Sequence, residues 1–216
     1  MSPQAVIFDM DGVIIDSEPF WRQAEKEAFA RQSILLTDDM CRSTAGLHLL
    51  KVVEHWQKRF GYDNETKKTL FTEIDARVIE LIHTQGKAFD GLIDLIEFLK
   101  QKNIKVALAS GSSHKIIKTV LRRLHLEHKF EVIRSGEDEM HGKPHPQIFI
   151  TTAQMLEVDP VNCLVVEDSR NGVIAGKAAR MKVVAMPEQE IKHDPVFAIA
   201  DYCVESLSKI QAIIGR

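Results

Sequence analysis

The chain has 216 residues, 44% hydrophobic and 27% charged, a globular balance that excludes disordered and fibrous classes and suffices to bury a core without disulfide or metal staples. Lys plus Arg number 28 against 31 Asp plus Glu, and a net charge of −3 lacks the basic surplus expected of a nucleic-acid binder. Cys41, Cys163 and Cys203 are far apart and form no CxxC pair, which speaks against a disulfide framework or a cysteine zinc site.

Ala5–Phe8 is a short apolar run ended by Asp9 and Gly12, and it reads as a buried strand followed by a turn. A strand beginning this early leaves no room for a signal peptide. No later apolar run is long enough to span a bilayer, so a cytoplasmic monomer is expected. Ser17–Gln32 reads as a helix with Trp21, Ala24 and Ala28 on one side. Leu49–Phe60 reads as a second. Phe71, Ile74, Val78 and Leu81 mark a third, with Asn64 as its candidate cap. Leu92, Leu95, Ile96 and Leu99 follow the i, i+3, i+4, i+7 spacing of one apolar helix face, as do Ile117, Val120, Leu121 and Leu124. Strand-like runs recur at Val106–Ala109, Glu131–Arg134, Cys163–Val166 and Lys182–Met186, with Tyr202–Val204 as a candidate edge strand. Strands apolar throughout, alternating with amphipathic helices, predict an α/β fold whose parallel sheet is covered on both faces.

About 95 residues separate the first strand from the second, far more than a crossover helix needs. Residues 16–86 are therefore expected to form a helical cap domain inserted into a core of residues 1–15 and 87–216. The two crossings fall near Ile15–Asp16 and Gly86–Phe89.

The polar residues that break this pattern cluster at one end of the predicted sheet. Asp9-Met-Asp-Gly-Val13 follows the first strand, Ser110-Gly-Ser112 the second, and Glu167-Asp168 the strand at Cys163–Val166. These are carboxyl ends of parallel strands, where open α/β sheets bind ligands. Asp9, Asp11, Glu167 and Asp168 would repel one another unpaired. A hard divalent cation with oxygen ligands, Mg²⁺ above all, relieves that repulsion. Lys143, before the predicted helix Pro146–Leu156, and the Ser110 hydroxyl are donors for an anion. Gly111 permits close backbone approach, and the helix starting near Ser113 adds N–H groups. Carboxylates, a cation, a lysine and a hydroxyl together describe a phosphoryl-transfer site.

Four stretches carry a family resemblance: DMDGVIIDSEP from Asp9, LASGS from Leu108, GKPHPQIF from Gly142 and VVEDSRNGVIAGKAA from Val165. In order and spacing they resemble the haloacid dehalogenase superfamily, nearest the branch of β-phosphoglucomutase and small sugar-phosphate phosphatases. The resemblance implies a Rossmann-like core of strand order 3-2-1-4-5, a mobile helical cap and an aspartyl-phosphate intermediate. It implies Asp9 as nucleophile, Asp11 as general acid/base, and Ser110 and Lys143 as phosphate holders. Magnesium ligands would be Asp9, the Asp11 carbonyl and Asp168, with Glu167 beside them. Elementary electrostatics agrees: a carboxylate meeting a phosphate faces roughly 4 kcal/mol of repulsion per unit pair at contact and an effective dielectric of about 20, which a cation and Lys143 offset.

Other residues have competing readings. Glu167 would also suit a helix N-terminus as an acid favoured by the macrodipole. Ser112 either faces the substrate or caps a helix. Asn171 serves either the site or its local turn. His141 and His145 read as exposed loop histidines, Trp21 and Trp56 as core, and Lys67-Lys68 as a solvated face. His48, just after Gly46, is expected to face the cleft and contact the substrate. A β-phosphoglucomutase would carry histidine where Trp21 stands and arginine where Leu49 stands, so these departures favour hydrolysis over mutase chemistry. The DSEP stretch at Asp16–Pro19 resembles hexose and sugar-alcohol phosphatases, which makes a small phosphorylated metabolite the expected partner. Retained phosphate binding without turnover is the contrasting expectation, disfavoured because both Asp9 and Asp11 are present.

Overall fold

The computed structural model describes residues 3–215. Its strands are β1 (Ala5–Phe8), β2 (Lys105–Ser110), β3 (Val132–Ser135), β4 (Cys163–Glu167), β5 (Lys182–Ala185) and β6 (Tyr202–Cys203). They form one parallel sheet in the order β3-β2-β1-β4-β5-β6, the expected core order with Tyr202–Cys203 added at the edge. The helices are α1 (Glu18–Arg31), α2 (Asp38–Ser43), α3 (Leu49–Phe60), α4 (Asn64–Gln85), α5 (Leu92–Gln101), α6 (His114–Arg123), α7 (Gln147–Met155), α8 (Arg170–Ala178) and α9 (Ser208–Ile214).

Period-two alternation sorts the sheet's side chains into two layers. Val6, Phe8, Val106, Leu108, Leu164 and Val166 face α5, α6 and α9. Ala5, Ile7, Ala107, Ala109, Val165 and Val183 face α7 and α8. Both faces are thus covered, and so the central strands read as continuous apolar runs.

Helices α1–α4 lie between β1 and α5 in the chain. At the two chain crossings Ile15 bridges Ala88 in antiparallel fashion, and the Phe89 N–H donates to the Ile14 carbonyl at 3.1 Å. Helix α2 has no counterpart in the sequence reading, because six residues are too few for a periodic pattern; its Thr37 hydroxyl caps it by accepting from the Met40 N–H. Asp63, rather than Asn64, caps α4. Three cysteines, Cys41, Cys163 and Cys203, are free. Among the described residues no helix is long and apolar enough to cross a membrane.

Candidate active site

β1 stops at Phe8 because Asp9 and the Gly12 turn leave the sheet there. Gly12 adopts φ +74°, and a Cβ on it would lie 2.0 Å from Asp168 Oδ2. Glycine thereby lets the turn after β1 press against the residue that follows β4. Through these two strand ends and the loop before α7, Asp9, Lys143, Glu167 and Asp168 come together in the interior.

Lys143 is 4% exposed. Its ammonium donates to Asp9 Oδ1 at 2.5 Å, to Glu167 Oε1 at 2.6 Å and to the Ala109 carbonyl at 3.2 Å. A lysine has three ammonium protons, and all three are engaged. Burial between two carboxylates holds it charged: although desolvation pulls its pKa down, Asp9 and Glu167 raise it above the usual lysine range. Glu167 is fully buried, and its Oε2 accepts from the Asp168 N–H, the Ser169 N–H and the Ser169 hydroxyl, each at 3.0 Å. Both Glu167 oxygens are thus filled by protein donors. Asp168 differs. Burial, followed by the charges of Glu18, Glu167 and Asp9, pushes its carboxyl well above the ordinary range against the pull of Lys143, and its side chain accepts no hydrogen bond among the described residues. Burial likewise pushes Asp9 up to about 8, against the pull of Lys143. Oxygens of Asp9, Glu167 and Asp168 lie within 4.8 Å of one another.

Asp11 turns the other way. Its Oδ1 accepts from the Ser17 hydroxyl at 2.6 Å and the Trp21 indole N–H at 2.9 Å, and its Oδ2 from the Ser112 hydroxyl at 2.8 Å. Ser110 is fully buried at the end of β2, where its oxygen accepts the Ser112 N–H at 3.1 Å. A Cβ on Gly111 would lie 3.0 Å from the Gly46 carbonyl of the α2–α3 loop. Glycine here admits the helical insert close to the sheet.

Between insert and sheet lies a cavity of about 40 Å³ whose walls include Asp9, Asp11, Asp168, Gly111 and Ser112 from the sheet side. Glu18, Trp21, Arg22 and Glu25 of α1, with Leu47 and Val52, close it from the insert. Residues 3–180 match the family described as haloacid dehalogenase-like hydrolase. The chain belongs to this family. Hexitol phosphatase B of Escherichia coli strain K12 is 35% identical over 209 residues, covering 96% of this chain and 94% of the relative. A phosphorylated carbohydrates phosphatase of Thermotoga maritima is 33% identical over 189 residues, covering 82% and 81%. Among solved structures, β-phosphoglucomutase from Clostridium difficile superposes with a TM-score of 0.83 at 27% identity, covering 100% of this chain and 98% of that one. The chain is thus a phosphatase of the haloacid dehalogenase-like type.

Within this haloacid dehalogenase-like hydrolase, the sequence-predicted residues Asp9, Asp11, Gly111, Ser112 and Asp168 meet at one cavity, with Lys143, Glu167 and Ser110 in the layer behind it. Two expectations need correction, those for His48 and Glu167. His48 is not on the cavity wall: as N-cap of α3, its Nδ1 accepts the Leu50 N–H at 3.2 Å, because the first helical turn lacks an internal acceptor. Trp21 is partly buried and packs against the core, and its indole N–H also reaches Asp11 at 2.9 Å. Glu167, expected among metal ligands, has its oxygens occupied by Lys143 and the backbone after β4. The Asp11 carboxylate, expected as general acid/base, points away from the buried carboxylate group toward Ser17, Trp21 and Ser112. Asn171 contacts the insert, donating to the Ala45 carbonyl at 3.0 Å.

The sequence reading missed Glu18, Arg22, Glu25 and Glu188. Glu18, Arg22 and Glu25 follow i, i+4, i+7 spacing, a polar stripe on the same helix as buried Ala24 and Ala28. Glu188, after β5, binds Arg22 at 2.7 Å and Arg42 at 3.2 Å, a contact no spacing rule foretells. Burial pushes Glu18 up to about 8, with Asp11 and Glu188 adding to the rise.

Proposed function

We propose that this chain hydrolyses small phosphomonoesters, hexose or hexitol phosphates foremost, through a phosphoryl group carried on Asp9. The observation that carries the reading is Asp9 itself, a buried carboxylate at the end of β1 that lines the cavity while Lys143 grips its Oδ1 at 2.5 Å. The Asp9 carboxylate attacks phosphorus, forming the P–O(Asp9) bond as the bond to the ester oxygen breaks. Asp11 gives that leaving oxygen a proton. Water then attacks the same phosphorus, Asp11 takes its proton, and the acyl phosphate releases inorganic phosphate and free Asp9. Ser17, Trp21 and Ser112 fix the Asp11 carboxyl for both transfers; the Ser112 hydroxyl can reverse its hydrogen bond when Asp11 is protonated. Such proton transfer is worth typically about 10²–10⁴-fold.

The donor set fits Mg²⁺: three buried carboxylates converge, and Asp168 has no protein hydrogen-bond donor. Asp9 and Asp168 would hold the ion, with the Asp11 carbonyl completing the protein's share. A bound Mg²⁺ supplies positive charge shared by the attacking carboxylate and the phosphoryl oxygens. Lys143 pulls Asp9 toward its charged form and, with Ser110, meets the phosphoryl oxygens as its bonds rearrange.

Residues 16–86 act as a cap in this reading. The cavity of about 40 Å³ holds only some three waters, at roughly 10–15 Å³ each. A sugar phosphate therefore enters when the cap swings about the crossings at Ile15 and Ala88. Closure then excludes bulk water from the acyl phosphate.

Hydrolysis is favoured over mutase chemistry by the insert's wall. A mutase must hold a bisphosphate, which calls for a second anion site. Among the described lining residues the insert offers one cation, Arg22, already bound to Glu188 at 2.7 Å and flanked by the carboxyls of Glu18 and Glu25. Phosphate release from a panel of sugar and sugar-alcohol phosphates tests the reading. D9N should abolish it, and chelation of divalent cations should silence the native enzyme. Near-native turnover in either case would refute the assigned chemistry.

A further inference from the structure

Glu25 sits in α1, 5% exposed, on the wall of the cavity. Its Oε2 is buried with no hydrogen-bond partner among the described residues. Most buried carboxyls are fully satisfied, as Glu167 is by Lys143, the Ser169 hydroxyl and two backbone N–H groups. Glu25 has only the Cys41 thiol as hydrogen-bonding neighbour, and burial pushes its pKa up to about 7. In either protonation state an oxygen with free lone pairs remains. Trp21, Leu47 and Val52 supply apolar wall around it.

Position gives this oxygen a use. Glu18, near Asp168, and Glu25 are seven residues apart on one helix, a rise of about 10 Å. The carboxyl thus stands well along the cavity from the reacting end.

We propose that Glu25 is a specificity residue whose unpartnered carboxyl oxygen binds a hydroxyl on the carbon chain of the substrate, so that the cavity selects polyol monophosphates over short or deoxygenated esters. This rests on the phosphatase reading above. Binding a hydroxyl satisfies an otherwise orphaned buried group, and an ester lacking that hydroxyl leaves it orphaned, which is the strong form of discrimination. An acceptor also suits a neutral hydroxyl better than a second phosphate.

The test compares kcat/KM for sorbitol 6-phosphate with that for ethyl phosphate in native enzyme, E25L and E25Q. E25L should lower the ratio of the two by roughly tenfold or more, chiefly through KM for the hexitol ester. E25Q, which keeps an amide oxygen at the same place, should lower it less. A merely structural Glu25 would depress both esters together, and an unchanged ratio in E25L overturns the inference. If E25L does not fold, deoxy analogues of the hexitol phosphate decide between native enzyme and E25D. One hydroxyl must be worth about tenfold to the native enzyme and less to E25D, and the absence of any such hydroxyl overturns the inference equally. A native enzyme that hydrolyses no phosphomonoester would instead refute the phosphatase reading, and the role of Glu25 with it.

Discussion

Replacing Lys143 with methionine keeps most of its volume and removes one charge from a closed site. Lys143 bonds Asp9 at 2.5 Å and Glu167 at 2.6 Å, and these three residues are at most 5% exposed. K143M therefore leaves two buried carboxylates, with Asp168 beside them, facing one another without a cation. Breaking a buried pair from one side costs roughly 3–5 kcal/mol. At about 2–4 °C per kcal/mol for a chain of this size, melting should fall by roughly 6–20 °C. The direction with pH is fixed as well. Burial already raises Asp9 to about 8 with the lysine present, and without it the carboxyl holds its proton more tightly still. A carboxyl with a raised folded-state pKa contributes stability at acid pH that is lost as pH rises through that value. The deficit of K143M against native protein should thus be smaller at pH 5 than at pH 8, and thermal melts at both pH values in chelator measure it. Saturating Mg²⁺ should restore part of the loss at pH 8, because it too neutralises the carboxylates. A shift under about 2 °C at pH 8, or a larger deficit at pH 5, would show that this ion triad does not hold the strand ends together.

Glu25 makes a second pH prediction. Its pKa is raised from 4.5 to about 7 by burial, so native stability should fall by roughly 3 kcal/mol as pH climbs through that interval, and E25Q should flatten the profile; identical profiles in denaturant titrations from pH 4 to 8 would contradict it. E188Q should weaken the bonds from Arg22 and Arg42 that tie α1 and α2 to the loop after β5. Hydrogen exchange over residues 18–25 and 38–43 should quicken, and KM for a hexitol phosphate should change; unaltered exchange would mean that Glu188 does not hold the insert down.

The sheet and the gathering of polar residues at its strand ends were legible because both rest on local rules. Val6 and Phe8 alternate with Ala5 and Ile7, yet all four are apolar because both faces are covered. That same pattern makes Asp9 conspicuous at the point where it stops. Each polar motif follows a strand, and a parallel sheet delivers all strand ends to one edge. Position along the chain therefore sufficed to bring Asp9, Ser110 and Asp168 together, while the exact partner of each oxygen did not follow. Glu167 illustrates the limit: proximity to the other acids suggested a metal ligand, but Lys143 and the N–H groups starting α8 already fill its oxygens.

The insert obeys a different logic. Its helices were found by periodicity, but which face looks onto the sheet depends on how α1 lies across the strand ends. Trp21 and Ala24 read as an apolar face and so hid Glu18 and Glu25, which are buried on the same helix. His48 stood out as a polar residue after Gly46, yet a histidine at a helix start is claimed by the open N–H groups of the first turn, here that of Leu50. Two glutamates buried beside Ala24, Ala28 and Phe29 on α1 are the stronger signal, since burying an acid without a partner is costly. Glu18 meets the acids of the sheet, and Arg22 beside it meets Glu188. Glu25, on the cavity wall, alone on this stripe keeps a buried oxygen with no hydrogen-bond partner among the described residues. Under the proposed function, chemistry at the strand ends and selection on α1 belong to separate residues, so that the substrate preference would change by substitution on one helix while Asp9, Asp11 and Lys143 stay as they are.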